Sequence, residues 1–247
     1  MFINKGAFLV VMDKKISVIL PTYNEAENIK EMIKQIYHYT GRDLYEVIVV
    51  DDNSPDGTWK IVEELKKNFK NLKVHRRMNK KGLPSAISEG IKISRGNILI
   101  WMDCDLSHPP RLIPKMLKYI PEYDIISASQ YVEGGKDKRK FIRVVASKAF
   151  SRVANFLLRL GLSDVTSGFY VVKKKVFDRI KLMTTGYAEY CIRFVYESKR
   201  KGFKIKEVGF VLKNRKKGTS KTDSNLIQFL VNGYLCMKEI IKLRSGR

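Results

Sequence analysis

The feature that most limits what this chain can fold into is a series of short apolar runs, each ended by a turn and followed by a helical pattern. The runs are "KISVIL" (15–20), "YEVIVV" (45–50), "NILIWM" (97–102) and "YDIISAS" (123–129), with "NLKVH" (71–75) as a shorter fifth. Nearly continuous apolar runs suit strands buried on both faces, as in parallel sheets. The segments between them read as helices. Asn24 caps a helix from about Glu25 to Tyr39, with Glu25 and Glu27 in its first turn. The turn "DDNSPDGT" (51–58) leads into a helix that starts at Thr58 or Asp56 and runs to about Phe69. "LPSAISEGIKIS" (83–94) carries Pro84 in its first turn, and "PPRLIPKMLKYI" (109–120) forms a further helix. Strands separated by helices predict an α/β fold with a mainly parallel sheet flanked by helices.

The last third changes character. "KFIRVVASKAFSRVANFLLRLGL" (140–162) is a long, basic, amphipathic helix pattern. "SGFYVVKK" and "FKIKEVGFVLKNR" read as strands. "NLIQFLVNGYLCMKEIIKLR" (225–244) is a second amphipathic helix, with Leu226, Phe229, Leu230, Leu235, Ile240 and Ile241 among its apolar positions. With no internal repeat and no low-complexity linker, the expected layout is an extension over 1–14, one domain over 15–222 and a terminal amphipathic helix over 223–247.

Charge narrows the partners. Forty-eight Lys and Arg against 25 Asp and Glu leave +23, so the surface attracts phosphate in nucleic acid, anionic lipid or a phosphorylated substrate. The positive residues are spread along the chain without a nucleic-acid recognition motif, so no nucleic-acid partner is expected. No run reaches the ~18–20 apolar residues that a membrane span requires. "MFINKGAFLVVMDKK" lacks the small-residue cleavage site of a signal peptide. Cys104, Cys191 and Cys236 form neither a disulfide framework nor a zinc pattern, which fits a reducing cytoplasm.

Ligands of open parallel sheets bind beyond the carboxyl ends of the strands. "PTYNE" (21–25), "DDNSPDGT" and "DCDLSHPP" (103–110) all fall there. Neither GxGxxG nor GxxxxGK[ST] is present, so phosphate must be held another way. A divalent cation on Asp103 and Asp105 does this, and Mg²⁺ or Mn²⁺ suits their oxygen ligands. A lone D-x-D is commonly a turn or cap, but this one follows a buried strand and has two companion loops. His108 reads either as an added ligand or as a loop residue before Pro109.

"PTYNE", "VDDNSPDGT", "GLPSAI", "MDCDLSHPP", "YVEGG", "SGF" and "RKKGTSK" occur in that order across about residues 15–221. The ordered set resembles the inverting nucleotide-sugar glycosyltransferases of A-type fold. Within them it resembles the polyprenyl-phosphate sugar synthases of the dolichyl-phosphate mannose synthase group. The resemblance implies a Rossmann-like nucleotide-binding half over about 15–130, a D-x-D metal site and an acceptor half over about 131–222. By motif it assigns Pro21, Tyr23, Glu25, Val50 and Asp52 to the nucleoside pocket. Asp103, Cys104 and Asp105 would meet the donor phosphates and the metal. Arg215 and Lys221 would close over the diphosphate, and Arg143 and Ser147 would approach the acceptor phosphate.

Two positions depart from the pattern. Ser107 stands where the relatives usually carry a Gln metal ligand, and a hydroxyl can ligate directly or through water. Gln130 stands where they carry Arg beside the reacting phosphates. Lys136, Lys138, Arg139 and Lys140 follow closely and could supply that charge.

The resemblance implies transfer of a hexose, with mannose from GDP-mannose foremost and UDP-glucose next, to a polyprenyl (dolichyl) phosphate. Such an acceptor is already anionic, with a second pKa of about 6 by analogy with other phosphomonoesters, so no base is required. Glu189 is the one candidate base for a sugar-hydroxyl acceptor, and reads equally as a first-turn acid. The basic amphipathic helices fit an anionic leaflet, and helix 140–162 is the better suited. The expected location is the cytoplasmic face of a membrane, peripherally or through an anchoring partner. The alternatives are a related transferase with a hydroxyl acceptor, an inactive membrane-associated subunit and a basic nucleic-acid-binding protein.

Overall fold

The computed structural model describes residues 13–79, 81–138, 141–212 and 226–246. Its main sheet contains β1 (Ile16–Thr22), β2 (Leu44–Asp51), β3 (Leu72–Arg76), β4 (Ile98–Trp101), β5 (Ile125–Ser129), β7 (Tyr170–Lys173) and β8 (Ile205–Gly209). The order across the sheet is β3-β2-β1-β4-β7-β5-β8. All neighbouring pairs are parallel except those of β7, which runs antiparallel to both β4 and β5. A short parallel pair, β6 (Lys136–Asp137) with β9 (Val211–Leu212), stands beside this sheet.

The helices are α1 (Ile29–Thr40), α2 (Thr58–Leu65), α3 (Leu83–Ile93), α4 (Ile113–Leu117), α5 (Phe141–Leu158), α6 (Glu189–Arg200) and α7 (Leu226–Arg244). The apolar runs read correctly as doubly buried strands. Ile16, Val18 and Leu20 of β1, Val47 and Val49 of β2, and Ile98 and Ile100 of β4 pack with Met32, Ile33 and Ile36 of α1 on one face. Ile19, Ile48, Val50, Leu99 and Trp101 alternate with them and pack on the other face against α3, α5, α6 and α7. Gly90 of α3 lies against Ile19, where a Cβ would collide with the isoleucine side chain.

Several boundaries differ from the sequence expectation, among them the end of α5, which closes at Leu158 rather than 162. Asn24 does not cap α1, which starts four residues after Glu25 with Asn28 at its N-cap position. Asn24 takes a left-handed conformation with φ 56°. Its amide and those of Glu25 and Ala26 are held by the loop after β2, which leaves them outside the helix. "PPRLIPKMLKYI" splits into a 3₁₀ turn at Pro110–Leu112 and the short α4, with Pro114 in the latter's first turn. The helix after Thr58 closes at Leu65 rather than Phe69.

Candidate active site

The carboxyl ends of β1, β2 and β4 deliver three loops side by side. Thr22 of β1 lies opposite Asp51 of β2, and its hydroxyl donates to Asp51 Oδ2 at 2.8 Å. Asp51 also takes the Ser54 amide (2.8 Å) and hydroxyl (2.6 Å). The Ser54 hydroxyl in turn accepts the Asn24 amide at 3.0 Å. Thr58 Oγ1 accepts the Glu25 amide at 2.9 Å, and Asp56 Oδ2 accepts the Ala26 amide at 2.9 Å. "PTYNE" and "DDNSPDGT" are thus stitched into one rigid unit.

Pro21 and Val50 are buried opposite each other at the ends of β1 and β2. Tyr23 is half-buried, with Lys81 Nζ 5.3 Å from its ring centroid. The Glu25 carboxylate is buried and accepts the Asn28 side-chain amide at 2.9 Å. Asp52 is engaged more fully than its turn position suggests. Its Oδ1 receives Arg77 Nε at 2.7 Å, and its Oδ2 receives the Gly82 amide at 2.7 Å. Arg77 continues to Ser85 Oγ (2.9 Å) and the Gly82 carbonyl (3.1 Å). Both partners of this ion pair are buried, with side chains 3% and 7% exposed. Arg77 was missed in the sequence because it sits in the run "HRRMNKKG", which reads as solvated charge.

Beyond β4, Asp103 keeps 41% of its side chain exposed, whereas Cys104 and Asp105 are buried. Ser107 gives both its amide (2.9 Å) and its hydroxyl (2.6 Å) to Asp105 Oδ1, so as placed it orients that carboxylate. This closed turn requires a left-handed Leu106 at φ 63°, a strained conformation for a residue with a branched side chain. His108 turns inward. Its Nδ1 accepts the Asp103 amide at 3.2 Å, and its ring lies against Phe169 and Phe210. Gly168 of "SGF" passes over Asp103 and His108, where a Cβ would meet His108 Cε1 at 3.2 Å and Asp103 Oδ2 at 3.6 Å. The small residue therefore keeps the cleft open above the first aspartate.

Gln130 follows β5, and its side-chain amide lies 3.4 Å from Asp164. The "YVEGG" glycines serve backbone contact. A Cβ on Gly209 would run into the Glu133 carbonyl oxygen and the Gly135 amide. Arg143 and Ser147 lie near the start of α5, both half-buried. Glu189 folds back on its own helix start, with Oε2 accepting the Tyr187 (2.8 Å) and Ala188 (2.9 Å) amides. Burial pushes the Cys191 thiol well up, and it donates to the Ser167 carbonyl at 3.0 Å. Arg139, Lys140, Arg215 and Lys221 lie outside the described residues. Among the described residues no three His, Cys, Asp or Glu side chains gather as a metal cage. Asp103 and Asp105 nonetheless fit an ion of the magnesium type, which commonly takes one or two carboxylates and completes its shell with substrate phosphate and water.

Residues 17–181 of this open, mainly parallel α/β fold match the family model for glycosyl transferase family 2. The chain belongs to that family. It is 38% identical over 229 residues to the dolichol-phosphate mannosyltransferase of Pyrococcus furiosus, covering 91% of this chain and 64% of that protein. It is 32% identical over 219 residues to the polyprenol monophosphomannose synthase of Mycolicibacterium smegmatis, covering 85% and 82%. The dolichol-phosphate mannosyltransferase of Saccharomyces cerevisiae is 32% identical over 173 residues, covering 68% and 64%. The chain thus spans just under two thirds of the archaeal and yeast relatives. The solved glucosyl-3-phosphoglycerate synthase of Mycobacterium tuberculosis, bound to Mn²⁺, UDP and glucosyl-3-phosphoglycerate, superposes with a TM-score of 0.70. That match covers 94% of this chain and 80% of the other at 18% identity. The same enzyme with Mg²⁺ and UDP gives 0.70 at 16% identity over the same shares. These likenesses establish the A-type fold.

Proposed function

We propose that the chain transfers a hexose, mannose from GDP-mannose foremost, to a polyprenyl phosphate such as dolichyl phosphate, with inversion and at a membrane surface. The observation that carries this reading is the meeting of three loops at the sheet edge in a chain 32–38% identical to polyprenyl-phosphate mannose transferases. Pro21, Tyr23, Glu25, Val50 and Asp52 hold the nucleoside: Tyr23 offers a ring face, and Glu25 accepts base or ribose donors. The Arg77–Asp52 pair fixes the Gly82 loop beside them. Asp103 and Asp105 would hold Mg²⁺ or Mn²⁺, with Ser107 setting the angle of Asp105. When bound, that ion stabilises the charge of the leaving nucleoside diphosphate. Arg215 and Lys221 add positive charge to the same diphosphate.

Arg143 and Ser147 orient the acceptor phosphate. One of its oxygens attacks the anomeric carbon as the bond from that carbon to the diphosphate oxygen breaks, and the diphosphate keeps the electron pair. No proton is transferred, so no base is needed. Glu189 supports this choice of acceptor over a sugar hydroxyl, because its carboxylate is occupied by its own helix start.

The membrane part of the reading rests on α5 and α7. Among the described residues no helix is long and apolar enough to cross a membrane. Phe141 and Phe156 of α5 are 83% and 81% exposed, and Leu230, Tyr234 and Ile241 of α7 are also exposed. Among the described side chains of α7, Cys236, Ile240 and Leu243 face the core. Exposed apolar side chains next to Lys148, Arg152 and Arg159 suit an anionic interface. A membrane-anchoring partner would engage the same surface.

Calorimetric titration with GDP-mannose and UDP-glucose, with and without Mn²⁺, tests the donor site. Metal-dependent binding of GDP-mannose that weakens at least tenfold in Asp105→Ala supports the reading. Metal-independent binding, or binding of neither donor, counts against it.

A further inference from the structure

A positively charged hollow away from the donor cleft has no part in the transfer. It lies where α6 and α7 meet the segment 179–185 and has a volume of about 660 Å³. Arg179, Lys181, Lys201 and Lys242 ring it, and among the described residues none of the four is paired with an acid. Arg193 also lines the hollow but is already taken up. Glu239 receives its Nε and Nη2, each at 2.6 Å, and Glu197 lies 3.7 Å from Nη1. The hollow therefore keeps an excess of positive charge after its acids are counted. Two of the four cations are also held in place. The Arg179 guanidinium lies 5.4 Å from the Phe203 ring centroid, and Lys201 Nζ donates to the Arg179 carbonyl. Thr184 and Thr185 add exposed hydroxyls to the rim. Like charges gathered round one hollow repel each other. A phosphate group relieves that repulsion and offers several acceptor oxygens to several donors.

The position of the hollow on α7 points to what carries the phosphate. Leu230, Tyr234 and Ile241 are 62%, 66% and 62% exposed. At about 100° per residue they fall in one narrow stripe along the helix. Lys242 follows Ile241 and so stands about 100° round from that stripe. Glu239 shares the flank of Lys242, three residues before it, and bonds to Arg193 of α6. That flank is thus the one turned toward α6 and the hollow. A bilayer touching the apolar stripe brings its headgroups alongside the four cations. We propose that the hollow binds the phosphate of an anionic lipid headgroup and so seats α7 at the bilayer surface. The proposal rests on the membrane reading given above and adds to it a defined headgroup site. Free inorganic phosphate is the other source of the same chemistry.

Two double variants test it. Lys181→Glu with Lys242→Glu reverses two exposed charges of the hollow. Lys30→Glu with Lys34→Glu makes the same change in net charge on exposed positions near or within α1, which packs on the opposite face of the sheet. Sedimentation with phosphatidylcholine vesicles containing phosphatidic acid gives the affinity of each protein. The proposal predicts a loss of about tenfold or more for the hollow variant and a much smaller loss for the α1 variant. Equal losses, or no loss in the hollow variant, overturn it and leave the membrane reading standing. A wild-type chain that does not bind the vesicles overturns both. Thermal unfolding with inorganic phosphate, without vesicles, separates the two sources. The lipid assignment predicts the same response to phosphate in wild type and hollow variant. A melting temperature that phosphate raises in wild type alone, together with equal vesicle binding, gives the hollow to free phosphate and overturns the lipid assignment.

Discussion

Arg77→Ala is the most informative single substitution in the donor half. The guanidinium gives Nε to Asp52, Nη1 to Ser85 and Nη2 to the Gly82 carbonyl, and its side chain is only 3% exposed. Among the described residues, its removal leaves a buried carboxylate with only the Gly82 amide as a partner. Stranding one member of a buried ion pair costs about 3–5 kcal/mol. At about 2–4 °C per kcal/mol for a chain of this size, the melting temperature falls by roughly 6–20 °C. The loss should be coupled: Asp52→Asn in the Arg77→Ala background removes the stranded charge and recovers part of the stability. Urea unfolding of the four proteins of the cycle measures that coupling. A loss below about 1 kcal/mol for Arg77→Ala, typical of an exposed pair, would refute the argument. Strict additivity in the cycle would refute it as well. Since the pair also holds the Gly82 loop, nucleotide affinity should fall in every variant that lacks it.

Gly209→Ala places a methyl against the Glu133 carbonyl and should destabilise the crossing of the β8 end with the "YVEGG" loop by a few kcal/mol, read by thermal unfolding. Glu46 is pushed up by burial, but Lys73, the Ser17 hydroxyl and the Arg95 amide outweigh this and hold it below its usual range. Its contribution is therefore complete above the unfolded carboxyl pKa and disappears as pH falls through the lower folded value. Glu46→Gln should be less stable than wild type at pH 7 and converge with it in urea titrations as pH falls through the lowered folded value. Phe141→Asp with Phe156→Asp should leave the melting temperature nearly unchanged, because both rings are exposed, while reducing sedimentation with anionic vesicles several-fold.

The central strands β1, β2, β4 and β5 were legible because each is buried on both faces, a pattern that short surface elements do not produce. The antiparallel setting of β7 was not, since "FYVV" carries the same composition in either direction, and only its place between β4 and β5 reveals it. Asn24 misled because an Asn before an acidic helix start is an ordinary cap, while here long-range bonds to Ser54, Asp56 and Thr58 decide the local backbone. The D-x-D loop was visible as a motif. The inward turn of His108, the Ser107 brace and the passage of Gly168 depend on segments far apart in the chain meeting, and no local pattern encodes that. For α7, periodicity marked a helix but did not tell which apolar residues face the core. Ile240 does, whereas Leu230 and Ile241 remain exposed.

The most direct test incubates the purified chain with Mg²⁺ or Mn²⁺, radiolabelled GDP-mannose or UDP-glucose, and dolichyl phosphate in vesicles, then counts label extracted into organic solvent. The account predicts metal-dependent labelled lipid from GDP-mannose that is lost in Asp105→Ala. Donor binding without any labelled lipid, from either sugar nucleotide, would contradict it.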